Sequence, residues 1–220
     1  MVSICRLVEG MPLGIELAAA WVRRFPCEVI AREITHTLDF LSTSLQDMPG
    51  RHRSLRAAFD HSWSLLSEEE RRAFKRLSVF QGGFREEAAQ YVAGASPSLL
   101  SVLEDKSLLR RGVPDRYEMH DLLRQYAEEK LREVADEERR VRDRHCAHYA
   151  AFLHRREAWL EDMRQQEALS DIGTEIENLR AAWHWAVRWG RVEEIEKALG
   201  ALFSFYQMRS WFKEGEEAFE

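Results

Sequence analysis

One stretch of this sequence interrupts a pattern that is otherwise helical, and it limits the folds open to the chain. Leu108-Leu109-Arg110-Arg111, Gly112-Val113-Pro114-Asp115 and Arg116-Tyr117-Glu118-Met119 read as strand, turn and strand, because Gly, Pro and Asp punctuate two short runs suited to extended backbone. Amphipathic helices precede it. Ser54 to Leu66 forms one, and Ser67-Glu68-Glu69-Glu70 opens a second with a capping box that runs to about Ser78. After the break at Gln81-Gly82-Gly83 come short helices from Arg85 to Ala93 and from Pro97 to Asp105. Helices followed by a single hairpin predict a winged helix, placed at residues 51–135.

The flanks carry only helical periodicity. Residues 1–50 form a helical unit in which Pro12 starts a helix, since it lacks an N–H and disfavours helix at Met11. A third helix there spans about Glu28 to Phe40, ahead of a loop at Asp47-Met48-Pro49-Gly50. Residues 136–220 read as a long helix from Glu137 to Leu169, a turn at Ser170 to Thr174, and antiparallel helices from Thr174 to Trp189, Val192 to Met208 and Ser210 to Glu220. The fold class is thus mainly α: a helical subdomain, a winged helix with one small β-hairpin, and antiparallel helical hairpins of a tetratricopeptide-like superhelix. The pattern is still helical at Glu220, which reads as a segment of a longer chain.

Composition excludes several classes of function. With 32% charged residues and no apolar run long enough to span a bilayer, no membrane association is expected. Three widely spaced cysteines, Cys5, Cys27 and Cys146, form no C-x-x-C pair and suit a reducing cytoplasm. The chain lacks a phosphate-binding loop, an H-E-x-x-H and a G-x-S-x-G sequence, so it is not expected to be an enzyme. The net charge of −6 divides as −2 before Arg51, +1 from Arg51 to Ala135 and −5 beyond. A near-neutral winged helix whose candidate recognition region contains Glu86 and Glu87 argues against DNA as a partner.

Two short motifs resemble a known family. Gly10-Met11-Pro12-Leu13-Gly14 is similar to the G-x-P-L motif, and Met119-His120-Asp121 to the M-H-D motif, of the signal-transducing ATPases with numerous domains, the STAND or NB-ARC class. Met11 and Gly14 stand where Leu and Ala are usual. Glu175-Ile176-Glu177-Asn178-Leu179-Arg180 resembles the start of the repeat sensor of bacterial members. The resemblance implies a nucleotide-binding domain upstream in cis, ADP or ATP with magnesium in the parent protein and none held tightly here, an unidentified inducer on the repeats, and self-oligomerisation on activation. It would make Pro12 an adenine contact and His120 a β-phosphate contact, with Gly10, Leu13, Met119 and Asp121 in support.

The residues also admit local readings. Pro12 suits the first position of a helix, and His120 suits a helix cap or core. Asp121 would cap the helix running through Leu122, Leu123 and Tyr126, and Met119 would pack in the core. His145 and His148 share a helix face but lack further ligands, so no metal is expected. Arg139, Arg140, Arg142 and Arg144 are interleaved with Glu138 and Asp143, which favours a solvated helix over a phosphate-binding stripe. Trp183, Trp185, Phe203, Phe205 and Trp211 are expected to fill the repeat core rather than line a groove. The alternatives to a nucleotide-gated regulator are a winged-helix DNA-binding regulator and a stand-alone protein-interaction module.

Overall fold

The computed structural model of the chain describes residues 2–8, 10–22, 25–36, 54–112 and 115–219. The expected loop at Asp47 to Gly50, the end of the third helix towards Phe40, and the turn residues Val113 and Pro114 lie outside the described residues. Three helices open the chain: α1 (Val2–Leu7), α2 (Pro12–Trp21) and α3 (Cys27–His36). Pro12 is at the start of α2, where its missing N–H costs no hydrogen bond. Gly14, one turn into α2, is buried against Val8.

The central unit contains α4 (Leu55–Ser64), α5 (Glu68–Leu77), β1 (Phe84–Arg85), α6 (Glu86–Ala93), α7 (Pro97–Asp105), β2 (Arg110–Gly112), β3 (Arg116–Glu118) and α8 (Asp121–Arg132). The capping box of α5 is complete: Glu70 N–H donates to Ser67 Oγ at 3.2 Å, and Ser67 N–H donates to Glu70 Oε2 at 2.7 Å. Gly94 ends α6 in the left-handed conformation (φ +71°), which a residue without Cβ adopts at little cost. Ser96 caps α7, with Leu99 N–H donating to its Oγ at 3.3 Å. Gly94-Ala95-Ser96 is therefore a three-residue turn between two helices, the connection of a helix-turn-helix.

The hairpin forms, with Arg110 opposite Glu118 and Gly112 opposite Arg116, but its first strand is displaced: Leu108 and Leu109 lie outside it, and Gly112, expected in the turn, ends β2. It belongs to a three-stranded antiparallel sheet in the order β1-β3-β2. The strand β1, pairing Phe84 with Tyr117 and Arg85 with Arg116, was not foreseen. Two residues are too few to display a period-two pattern, and Arg85 reads equally well as the start of α6.

Beyond it, α9 (Ala135–Leu160), α10 (Gln165–Thr174), α11 (Ile176–Arg188), α12 (Val192–Met208) and α13 (Phe212–Phe219) follow. The expected helix through Leu169 divides at Leu160, and the expected turn at Ser170 to Thr174 is the second half of α10. Asp162 Oδ1 accepts Arg164 N–H at 2.6 Å and turns the chain between the two helices without Gly or Pro. Both α11 and α12 pack on α9. One buried cluster among the described residues extends from Ile4 to Tyr206, so the three stretches share a core. Trp183 and Phe205 lie inside it and Trp185 and Trp211 are half-buried, but Phe203, expected inside, is half exposed. No described helix is long and apolar enough to cross a membrane.

Candidate functional site

One backbone atom, Val8 O, links the two motifs: it accepts Met11 N–H at 2.8 Å and faces the His120 ring. His120 is the N-cap of α8, its Nδ1 accepting Leu122 N–H at 3.1 Å, while its Nε2 lies 3.1 Å from Val8 O. An amide can only donate and a carbonyl can only accept, so this geometry requires the neutral ring with its proton on Nε2. Both ring nitrogens are thus engaged within the chain. The cap falls to His120, and Asp121, expected to hold it, is the exposed first residue of α8, facing Arg124 at 3.4 Å. Met119 packs against the core. Pro12 and Gly10 are exposed beside Met11, and the Leu13 side chain lies outside the described ones.

On its opposite side the winged helix is held by a buried polar cluster. Arg116 on β3 pairs with Glu175 through its two terminal guanidinium nitrogens, Nη1 and Nη2, and donates from Nη2 to Gly83 O at 2.9 Å. Tyr149 on α9 donates to Glu175 Oε2 at 3.1 Å. Asn178 donates from Nδ2 to Gly83 O at 2.8 Å and to Glu175 Oε2 at 3.0 Å, while its Oδ1 accepts Gln81 N–H at 2.7 Å. His145 Nε2 is 3.4 Å from the same Oδ1. Burial drives the His145 pKa down to about 3, so the imidazole is neutral and donates there. Burial together with the adjacent Glu175 raises the Tyr149 phenol well above 10. Each member has at least one partner within the cluster, as a buried polar group requires. A further tie joins Glu137 on α9 to Lys75 at 2.6 Å and Arg76 at 2.7 Å on α5.

Arg116, Glu175, Asn178 and His145 did not emerge as a set from the sequence. The available signal was a Glu and an Asn three apart, in register with Ile176, Leu179 and Ala182 on the apolar side of a helix.

Away from these attachments, one side of α7 and much of β2 are exposed. Leu99, Leu100 and Leu103 anchor α7, leaving Ser98, Ser101, Val102 and Asp105 exposed. Lys106 pairs with Glu70 at 2.7 Å and Arg110 with Glu118 at 2.8 Å. Arg111 donates to Tyr117 Oη at 2.8 Å and is 3.6 Å from Glu104. No group of three His, Cys, Asp or Glu side chains able to hold a metal ion occurs among the described residues.

The likeness of this chain is to HTH-type transcriptional regulators. It is 34% identical over 229 aligned positions to a Mycobacterium tuberculosis protein provisionally given that name, and to the same extent to one of Mycobacterium bovis. The alignment covers 97% of this chain but 25% of each relative, so the chain spans about a quarter of their length. An uncharacterized protein of Mycobacterium tuberculosis is 32% identical over 147 residues, covering 61% of this chain and 37% of that protein. No family profile matches the chain, and no solved structure matches it.

These relatives correct the resemblance to the signal-transducing ATPases and the nucleotide switch it implied. The two triplets have local explanations: Gly10-Met11-Pro12 leads into α2, and Met119-His120-Asp121 leads into α8 with the histidine as cap.

Proposed function

We propose that this chain is the helix-turn-helix part of a transcriptional regulator, with α7 entering a DNA groove and the wing arginines meeting the flanking phosphates. The observation that carries the reading is the three-residue turn Gly94-Ala95-Ser96 between α6 and α7, followed by a hairpin wing, on a face that the rest of the described chain leaves open. The likeness to HTH-type transcriptional regulators supports it. DNA, discounted on charge, thus becomes the partner of first choice. The charge balance now bears on strength: Arg110 and Arg111 must exchange Glu118 and Glu104 for phosphate, and α7 itself offers hydroxyls rather than cations.

Duplex binding by this segment is therefore weak, and tight sequence-specific binding belongs to the longer regulator. A fluorescence anisotropy titration of the chain against labelled duplex tests this. Losing both wing cations in Arg110→Ala/Arg111→Ala should flatten the dependence of log K on log salt by about 2, at roughly 0.9 per phosphate contact. Ser101→Glu should oppose binding by placing an anion on the exposed face of α7. Affinity and salt slope unaffected by both changes would sink the reading.

A further inference from the structure

A second cationic surface lies on α9, where the sequence predicted a solvated helix. The fold engages acids that alternate with bases in the sequence. Glu138 accepts a hydrogen bond from Arg142 at 2.9 Å and lies 3.8 Å from Arg132. Asp143 accepts Trp185 Nε1–H at 2.9 Å and pairs with Arg191. Glu137 is buried against Lys75 and Arg76. These three acids are each engaged by a cation or an N–H donor, while Arg140, Arg144 and Arg155 are exposed without a carboxylate partner among the described residues.

At 100° per residue these three arginines fall on one face, with Ala147 and Ala151 between them, and Arg140 to Arg155 spans about 22 Å. An open groove of about 380 Å³ runs beside this face, between α6 and α9. Its α6 wall carries Tyr91, which is exposed and has its ring 5.6 Å from that of His148. Glu87 lines the same groove, and Asp136 stands in the first turn of α9, where the helix dipole favours an anion.

We propose that this stripe is a phosphate-contacting surface for duplex DNA, separate from α7 and the wing; the proposal rests on the DNA-binding reading above. Three uncompensated guanidiniums in a segment of net charge −5 constitute a local complement to a polyanion. Each guanidinium presents a planar fork that suits phosphate oxygens, and the Tyr91 hydroxyl can donate to another. The alanines allow a sugar-phosphate backbone to approach the helix closely. They also offer no large apolar side chain for a protein partner to bury, which favours DNA over a protein ligand.

The test is the salt dependence of duplex binding by the 220-residue chain, with circular dichroism to establish that each variant is folded. Arg140→Ala/Arg144→Ala/Arg155→Ala should flatten the log K against log salt slope by about 2.7, at roughly 0.9 for each of three contacts. The corresponding triple Lys variant, which keeps the charges, should retain the slope. An unchanged slope in the Ala variant, with Arg110→Ala/Arg111→Ala still flattening it, overturns this proposal and leaves the reading of α7 and the wing intact. Equal losses in the Lys and Ala variants also overturn it, since the effect would then be one of structure rather than charge. If the unmodified chain fails to bind duplex at low salt, the DNA-binding reading falls first and this proposal with it.

Discussion

Asn178 reaches from α11 to the bend before β1, its Nδ2 donating to Gly83 O at 2.8 Å across 95 positions of sequence. The same side chain accepts Gln81 N–H at 2.7 Å and donates to Glu175, so it holds both the backbone of the winged helix and the carboxylate that binds Arg116. The attachment of the winged helix to the C-terminal helices depends on this cluster being complete.

Removing one member of the buried ion pair should therefore be costly. Arg116→Ala leaves Glu175 buried without its cation, and such a loss typically costs about 3–5 kcal/mol. Urea denaturation of both single variants and the double variant measures it. The double variant Arg116→Met/Glu175→Leu should recover a large part of the loss. A single-variant cost under about 1 kcal/mol, the range of exposed pairs, would contradict the buried geometry.

Two functions of His120 can be separated. His120→Asn keeps a residue able to cap α8 but is too short to reach Val8 O, whereas His120→Ala removes both interactions. Ala should cost about 1 kcal/mol more than Asn, the usual difference between a capped and an uncapped helix start. Amide exchange in α1 should be faster in both variants, because each releases Val8. If exchange there is unaltered, the contact between Val8 and His120 contributes nothing to holding α1.

The neutral, buried His145 makes stability depend on pH. Its folded pKa is near 3, against about 6.5 in an unfolded chain, so below the latter only the unfolded chain takes up the proton. Stability should fall by up to about 1.4 kcal/mol per pH unit as pH drops from roughly 6.5 towards 3. His148, also lowered by burial, adds in the same direction. Glu137, whose burial is outweighed by the hydrogen bonds from Lys75 and Arg76, adds only below its ordinary value of 4.5. Urea midpoints between about pH 7 and 5 isolate the histidines, and His145→Gln should remove the larger part of the slope. A flat profile in that window would rule out this assignment.

Gly83 should resist replacement. It has φ +92°, and a Cβ added there would lie 3.0 Å from Tyr117 O. Gly83→Ala should cost more than about 1 kcal/mol by thermal unfolding, combining the strain of positive φ with displacement of β3. Gly190→Ala is the comparison: it shares the positive φ (+60°) but a Cβ there meets nothing within 4 Å, so the milder loss should be the strain alone.

The helices and hairpin were legible because their signals are local. Ser67 with Glu70, Gly94, and Ser96 with Pro97 all mark boundaries through capping chemistry that acts within a few residues. The buried cluster was not legible, because Arg116 and Glu175 stand 59 positions apart and nothing in either neighbourhood names the other. Local chemistry also misdirected the reading of function. Gly, Pro and His recur at helix starts for steric and hydrogen-bonding reasons, so triplets built from them carry less family information than their order suggests. In the acidic and basic run of α9, counting charges concealed which of them the fold pairs.

At 1.5 Å per residue, α9 is a rod about 39 Å long. It is fastened to the winged helix at Glu137 and joined to the polar cluster at His145 and Tyr149. The stretch from Glu137 to Tyr149 covers about 18 Å, and the remaining 16 Å or so to Leu160 is packed into the shared core through Leu153 and Leu160. Mechanically, the helix is a strut held along its whole length, by the winged helix near its start and by α10, α11 and α12 beyond it. Loads on the C-terminal helices and on the winged helix therefore meet in one continuous element.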